Sequence, residues 1–214
     1  MPDGLVLRDL TVHLRGRVVV RMDRRVAPGE VLTVMGPSGI GKSTLLAAIT
    51  GTLAPGFAAS GRIVLNDRDV TALPAHLRRI GILFQDDLLF PHLDVAGNLG
   101  FGLAPGGTRK DRRRQIDAAL AEVGLTGFGG RDPATLSGGQ RARVALMRTL
   151  LSQPEALLLD EAFSRLDAAR RDRTRRMVFD TARLRGLPVL MVTHDPDDAA
   201  AAGGAVATLG NPAD

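Results

Sequence analysis

The chain has 214 residues, of which 44% are hydrophobic and 24% charged. Those are globular proportions in a length that holds one or two domains at about 150 residues each, which excludes a disordered chain and a collagen-like repeat. It has no cysteine, so disulfides and thiolate metal sites are excluded, and 28 basic against 23 acidic residues leave a net charge of +5.

In chain order, residues 5–14 and 18–26 alternate apolar and polar side chains, which predicts an antiparallel pair of strands. Residues 31–35 are a compact apolar run, a buried strand by length and β-branching. A glycine-rich turn follows, then a helix over 42–50 stopped at Gly51. Residues 62–65 and 80–84 read as further strands, and 94–101, 111–123 and 140–153 as helices between Gly- and Pro-rich loops. Residues 156–159 and 189–192 are two more buried strands. Residues 167–184 read as a helix with arginine on its outer face, and 206–209 as a last short strand. The stretch 199–202 is alanine-rich and of low complexity. No internal repeat is present. Strands alternating with helices predict an α/β fold with a mainly parallel sheet covered on both faces. The expected organisation is a single domain over 1–214. Residues of about 1–85 and 156–214 form its core, with an N-terminal antiparallel β part, and about 86–155 form a helical insertion.

Only Lys42 and Lys110 among the basic residues are lysine, and arginine clusters at 109–114 and 170–176. Solvated helix faces account for both clusters. With no Tyr or Trp and seven Phe, a stacking platform for single-stranded nucleic acid is not expected. No apolar run approaches the eighteen or so residues of a spanning helix, and residues 1–10 lack the shape of a signal peptide. The expectation is a soluble, intracellular chain that reaches a membrane only through a partner.

Gly36-Pro37-Ser38-Gly39-Ile40-Gly41-Lys42-Ser43-Thr44 fits G-x-x-x-x-G-K-[ST], after a buried strand and at the start of a helix. Glycines let successive backbone N–H groups turn toward one anion, and the helix start adds unpaired donors. Lys42 supplies a charge for the β- and γ-phosphates, and Ser43 an oxygen for Mg²⁺. The competing reading is a glycine-rich turn with an incidental lysine, which the flanking strand and helix oppose. The motif alone implies a nucleoside triphosphate and Mg²⁺. Asp160-Glu161 end the strand over 156–159, so they reach the same sheet edge. Asp160 is placed to hold Mg²⁺, and Glu161 to act as general base toward water in line with the γ-phosphorus. The alternative is an acidic strand end facing solvent.

Leu136-Ser137-Gly138-Gly139-Gln140 precedes a helix and resembles the signature sequence of ATP-binding cassette (ABC) ATPases. Phosphate loop, Gln85, signature, Asp160-Glu161 and His194 stand in that family's order, and the resemblance spans about 5–209. It implies a phosphate-loop ABC-type core that binds ATP and Mg²⁺. Ser137, Gly138, Gly139 and Gln140 would cap ATP held by a second copy in a head-to-tail homodimer. Gln85 would be the Q-loop glutamine, which contacts Mg²⁺ and the attacking water. His194 would be the switch histidine at the γ-phosphate, and Asp167 an aspartate at the dimer interface.

Three positions depart from the family pattern. An aromatic that stacks on adenine is usual near 12–15; Leu14 aligns with it here, with His13 as the alternative. Residue 162 is Ala where proline is common, and Arg165 stands where alanine is common. Neither removes a catalytic group, so hydrolysis is expected. With twenty residues after His194, the expectation is a free-standing nucleotide-binding subunit. It would lack a carboxy-terminal regulatory barrel or a fused membrane domain. Residues 81–92 resemble importer ATPases of the thiamine, iron, polyamine and molybdate group, and the wider pattern, including 132–135 and 163–167, resembles the short YnjD-type subunits of bacterial binding-protein-dependent importers. That implies transmembrane permease subunits, a periplasmic or lipid-anchored substrate-binding protein and a cytoplasmic place on the inner membrane face. The loop over 88–91 would help form the groove for the membrane subunit. The alternatives are a nucleotide switch acting on nucleic acid or ribosome, and an exporter or lipoprotein-release ATPase.

Overall fold

A computed structural model describes residues 3–210; residues 1–2 and 211–214, part of the expected domain span, lie outside them. The chain runs β1 (Leu5–Leu14), β2 (Arg17–Val26), β3 (Val31–Met35), α1 (Lys42–Thr50), β4 (Phe57–Leu65), β5 (Arg68–Asp69) and β6 (Ile80–Leu83). It continues α2 (Val95–Gly102), α3 (Arg109–Glu122), α4 (Gly138–Leu151), β7 (Ala156–Asp160), α5 (Ala168–Leu184), β8 (Val189–Thr193), α6 (Pro196–Ala202) and β9 (Ala205–Thr208). Two compact units divide it, and each is described separately.

The first unit comprises Met1–Ile82, Glu155–Glu161 and Arg175–Asp214. One sheet has the order β2-β1-β4-β5, and its pairs are antiparallel. The other has the order β6-β7-β8-β3-β9, with β7–β8, β8–β3 and β3–β9 parallel. The fold is α/β, as the alternating pattern predicts. Strands β3, β7 and β8 are buried along nearly their whole length, so the sequence there has to be continuously apolar rather than alternating. Leu45, Leu46 and Ile49 of α1 share one core with Leu5, Leu7 and Val12 of β1 and with Leu158 and Leu190.

The far end of α1 is closed by Gly51 in the left-handed region and by a buried arginine. Arg78 Nη1 donates to the carbonyls of Ala48 and Ile49 at 2.9 and 2.8 Å, while Nε and Nη2 donate to Leu73 and Thr71. A cation on the last carbonyls of a helix satisfies orphan acceptors and opposes the negative end of its dipole. Burial pulls the Arg78 pKa down, but these acceptors keep the charge solvated by protein.

Two sequence expectations are corrected here, the start of one strand and the outer-face placement of every arginine on α5, and two elements are added that the sequence reading did not assign. The strand expected at 62–65 begins at Phe57. The pair Arg68–Asp69 forms a short strand that no period could reveal. The alanine-rich stretch lies in a helix, α6, opened by Asp195, whose side chain accepts from the Asp197 amide. On α5, Arg175 is not on an outer face: its side chain is buried against Asp198 at 2.8 Å.

The second unit comprises Leu83–Pro154 and Ala162–Thr174, so residues 162–174, read from the sequence as α/β core, belong to it. Helix α2 packs on α4, and α3 contacts both. The α2–α4 approach is so close that a Cβ on Gly102 would lie 2.1 Å from the Arg148 carbonyl oxygen, which only glycine tolerates. Asn98 is wholly buried on α2 and staples the preceding loop. Its side-chain oxygen accepts from the Phe90 amide, and its amide group donates to the carbonyls of Phe90, Leu93 and Asp94.

Candidate active site

In the first unit, residues 36–41 turn from β3 into α1. Gly41 is the N-cap, with φ 100°, and a Cβ there would sit 3.1 Å from Val19 Cγ1. The positive φ favours glycine, and a Cβ would also press on Val19. No side chain caps this helix. The first amides of a helix have no carbonyl one turn back, so those of Lys42, Ser43 and Thr44 form an anion site. Lys42 is buried, and its Nζ donates to the carbonyls of Gly36 at 2.7 Å and Pro37 at 3.0 Å. An ammonium has three donors, and the loop itself takes two of them.

Strand β7 brings Asp160 to α1, where Ser43 Oγ donates to its Oδ1 at 3.3 Å. Burial drives the Asp160 carboxyl above its ordinary value; the Ser43 hydrogen bond opposes that, the Glu161 charge adds to it, and Lys42 opposes it. The next residue, Glu161, has φ 47° and donates its amide to the Val192 carbonyl at 3.0 Å. A positive φ in a non-glycine residue is strained, and the bond to β8 holds it. The side chain is thereby aimed at His194, whose Nδ1 lies 3.2 Å from Glu161 Oε1.

The position of His194 is set from behind. Thr193 Oγ1 donates to Asp198 Oδ2 at 3.0 Å and accepts from the Asp195 amide at 3.0 Å. Asp198 in turn accepts from Arg175. A cleft of about 380 Å³ opens beside the loop, lined by Leu14, Ser38, Gly39, Lys42, Ser43 and Glu161 among others. The structure therefore gathers the loop, Asp160, Glu161, His194 and Leu14 in one unit; His13 is not among the lining residues.

The second unit holds the rest. Ser137 is the N-cap of α4 in a reciprocal capping box: its Oγ accepts from the Gln140 amide at 3.3 Å, and Gln140 Oε1 accepts from the Ser137 amide at 2.9 Å. Gly138 and Gly139 are the first residues of α4. Gln85 is exposed, and with Asp86, Asp87, Gly138, Arg141 and Arg165 it lines a groove of about 400 Å³. Burial raises the Asp87 carboxyl, against the pull of Arg141, whose Nε lies 3.3 Å away. Arg165 is ion-paired to Asp86. Asp167 is exposed and accepts from the Arg170 amide at 3.1 Å, capping the start of α5.

The sequence reading missed Arg78, Asn98 and the Arg175–Asp198 pair. Only Asn98 carries a local signal, as a lone amide within an apolar helix.

An anion loop that opens a helix beside a half-buried carboxylate is the arrangement of phosphate-loop nucleotide-binding proteins, and the fold puts the chain in that class. The family is narrower: the ABC transporter family matches residues 19–164. The chain belongs to the ABC transporter family, as one of its ATP-binding, ATP-hydrolysing subunits. It is 47% identical over 195 residues to the ABC transporter ATP-binding protein YnjD of Escherichia coli, covering 91% of this chain and 90% of the relative. It is 46% identical to the thiamine import ATP-binding protein ThiQ of Cereibacter sphaeroides, covering 86% of this chain and 79% of that one. A third relative, the Fe(3+) ions import ATP-binding protein FbpC 1 of Rhizobium meliloti, is 42% identical over 94% of this chain, which spans only 56% of it. Among solved structures, cbiO1 from Clostridium perfringens, part of the ABC transporter complex cbiONQ, matches 99% of this chain and 86% of its own. The TM-score is 0.85 at 26% identity.

Proposed function

We propose that this subunit drives a binding-protein-dependent importer, hydrolysing ATP between two copies of itself on the cytoplasmic face of a membrane. The reading rests most on the Ser43–Asp160 contact beside the Glu161–His194 pair, next to the phosphate loop. The loop amides and Lys42 would hold the phosphates. Glu161 would take a proton from the attacking water, with His194 holding the carboxylate in place. General-base action of this kind is worth about 10²–10⁴-fold.

The donors also fit Mg²⁺. Neighbouring ligands of an octahedral ion at about 2.1 Å stand about 3 Å apart, and Ser43 Oγ and Asp160 Oδ1 are two hard oxygens 3.3 Å apart. Bound there, Mg²⁺ would neutralise charge on the phosphate oxygens.

Ser137 supports the two-copy reading. Its oxygen accepts from Gln140, while its own proton can be donated to a phosphate, together with the Gly138 and Gly139 amides. Gln85 would sense the nucleotide, and Asp167 would meet the second copy. Among the described residues no helix is long and apolar enough to cross a membrane. In keeping with the import ATP-binding relatives, permease subunits would form the membrane path. The groove in the second unit, with Leu88 55% exposed at its wall, would receive a segment of such a subunit. A substrate-binding protein outside the membrane completes the system, in keeping with the importer relatives; nucleic acid is not a partner in it.

Glu161→Gln should bind ATP normally, turn over about 10²–10⁴-fold more slowly and accumulate an ATP-bound dimer in size-exclusion chromatography. Turnover at the wild-type rate in that variant would remove Glu161 from the base role.

A further inference from the structure

The cleft beside the phosphate loop has two chemically different ends. Ser38, Lys42, Ser43 and Glu161 make one; Leu14, Val19 and Phe57 make the other. We infer that Phe57 is the surface on which the base of the bound nucleotide stacks, with Leu14 as its apolar neighbour. The inference rests on reading the loop as the ATP site, and adds a residue from β4 to it.

Register and composition carry it. Leu14 and Phe57 are direct partners in the antiparallel β1–β4 ladder, so their side chains leave the same face of the sheet side by side. That face is the core face. Val12, two residues before Leu14, is fully buried in the core of the unit, and Phe57 packs against the same core. The row of apolar residues thus runs out of the core and into the cleft. Phe57 is half-buried and Leu14 is 37% exposed, so the ring is braced by the core along one side and borders the cleft on another. His13 alternates to the opposite face.

No other phenylalanine can serve in this unit. The chain has seven Phe and no Tyr or Trp. Apart from Phe57, the first unit holds only Phe179, which is fully buried. At the loop end, fixed donors demand the phosphates. The base is flat and weakly polar, and the aromatic end of the cleft gives it a ring to stack on. The Leu14, Val19 and Phe57 side chains carry no hydrogen-bonding group to read a base edge. The contact should therefore hold adenine and guanine alike.

The absence of tryptophan makes the test direct, because Phe57→Trp places a single indole in the chain. Its emission should change on titration with Mg·ATP or Mg·GTP, and stay unchanged with Mg·tripolyphosphate, which has no base. Adding Lys42→Ala should abolish the response. Phe57→Leu, which keeps the core contact, should weaken binding of both nucleotides by about ten- to a hundredfold while leaving tripolyphosphate affinity as it was. Normal ATP binding with no indole response and no loss in Phe57→Leu would overturn the inference and leave the ATP site standing. Binding of neither ATP nor tripolyphosphate by the wild-type chain would overturn the site itself, and the inference with it.

Discussion

The two units begin their functional helices by opposite means. Helix α1 starts at a glycine with no side-chain cap, and Lys42 is buried against the loop's own carbonyls. Helix α4 starts at Ser137 with a complete capping box. Burial of charge differs less. The first unit buries Lys42, Arg78 and the Arg175–Asp198 pair but also carries exposed pairs such as Arg21–Asp9. The second has exposed pairs such as Arg113–Asp117 and the half-buried Arg141–Asp87. An uncapped helix start keeps its donors for a ligand, whereas a capped one is complete without it. The start of α1 thus leaves its amides open to an anion, whereas the start of α4 has its cap in place and offers only the donors that the cap does not use.

The sharpest break of this contrast is Lys42→Ala. Removing the charge at the uncapped end should lower ATP affinity and turnover by at least about a hundredfold, read by equilibrium dialysis and phosphate release. Arg175→Ala comes next, because it strands Asp198 in the interior. Unfolding in urea should show a loss of about 3–5 kcal/mol, largely recovered when Asp198 is replaced by an apolar residue as well. Full stability in the single variant would mean that the pair is not buried.

Ser137→Ala should cost about 1 kcal/mol, and Ser137→Gly only a few tenths, if capping were the whole role. Because the hydroxyl is also assigned to phosphate, glycine should restore the fold and not the ATPase rate. Equal rescue of both would make Ser137 a cap and nothing more. For Asp160→Asn the sign of the pH dependence is the test. The folded carboxyl titrates higher than the unfolded one, so the folded state binds more protons and wild-type stability falls as pH rises through that range. Without nucleotide, the variant should therefore melt above the wild type at neutral pH, with the gap closing in acid. At the small end, Arg165→Ala breaks an exposed pair and should change stability by less than about 1 kcal/mol.

Much of the first unit was legible because its constraints are local. Alternation in β1 and β2, the apolar runs of β3, β7 and β8, and the glycines around α1 each state one physical requirement in a few consecutive residues. Arg175 was misread for the opposite reason: in a helix crowded with arginine, nothing nearby marks the one whose partner lies on α6. Arg78 was silent because its acceptors are backbone carbonyls, which every sequence has. The candidate site divides the same way. Its loop and carboxylates are short motifs, while the nearness of Glu161 to His194 and of Phe57 to Leu14 depends on strand pairing.

Arg78 grips the end of α1 farthest from the loop. A screen of random variants for lost ATPase activity should accordingly return Arg78 beside Lys42, and a worker mapping those hits along the gene would find two hot regions for one helix.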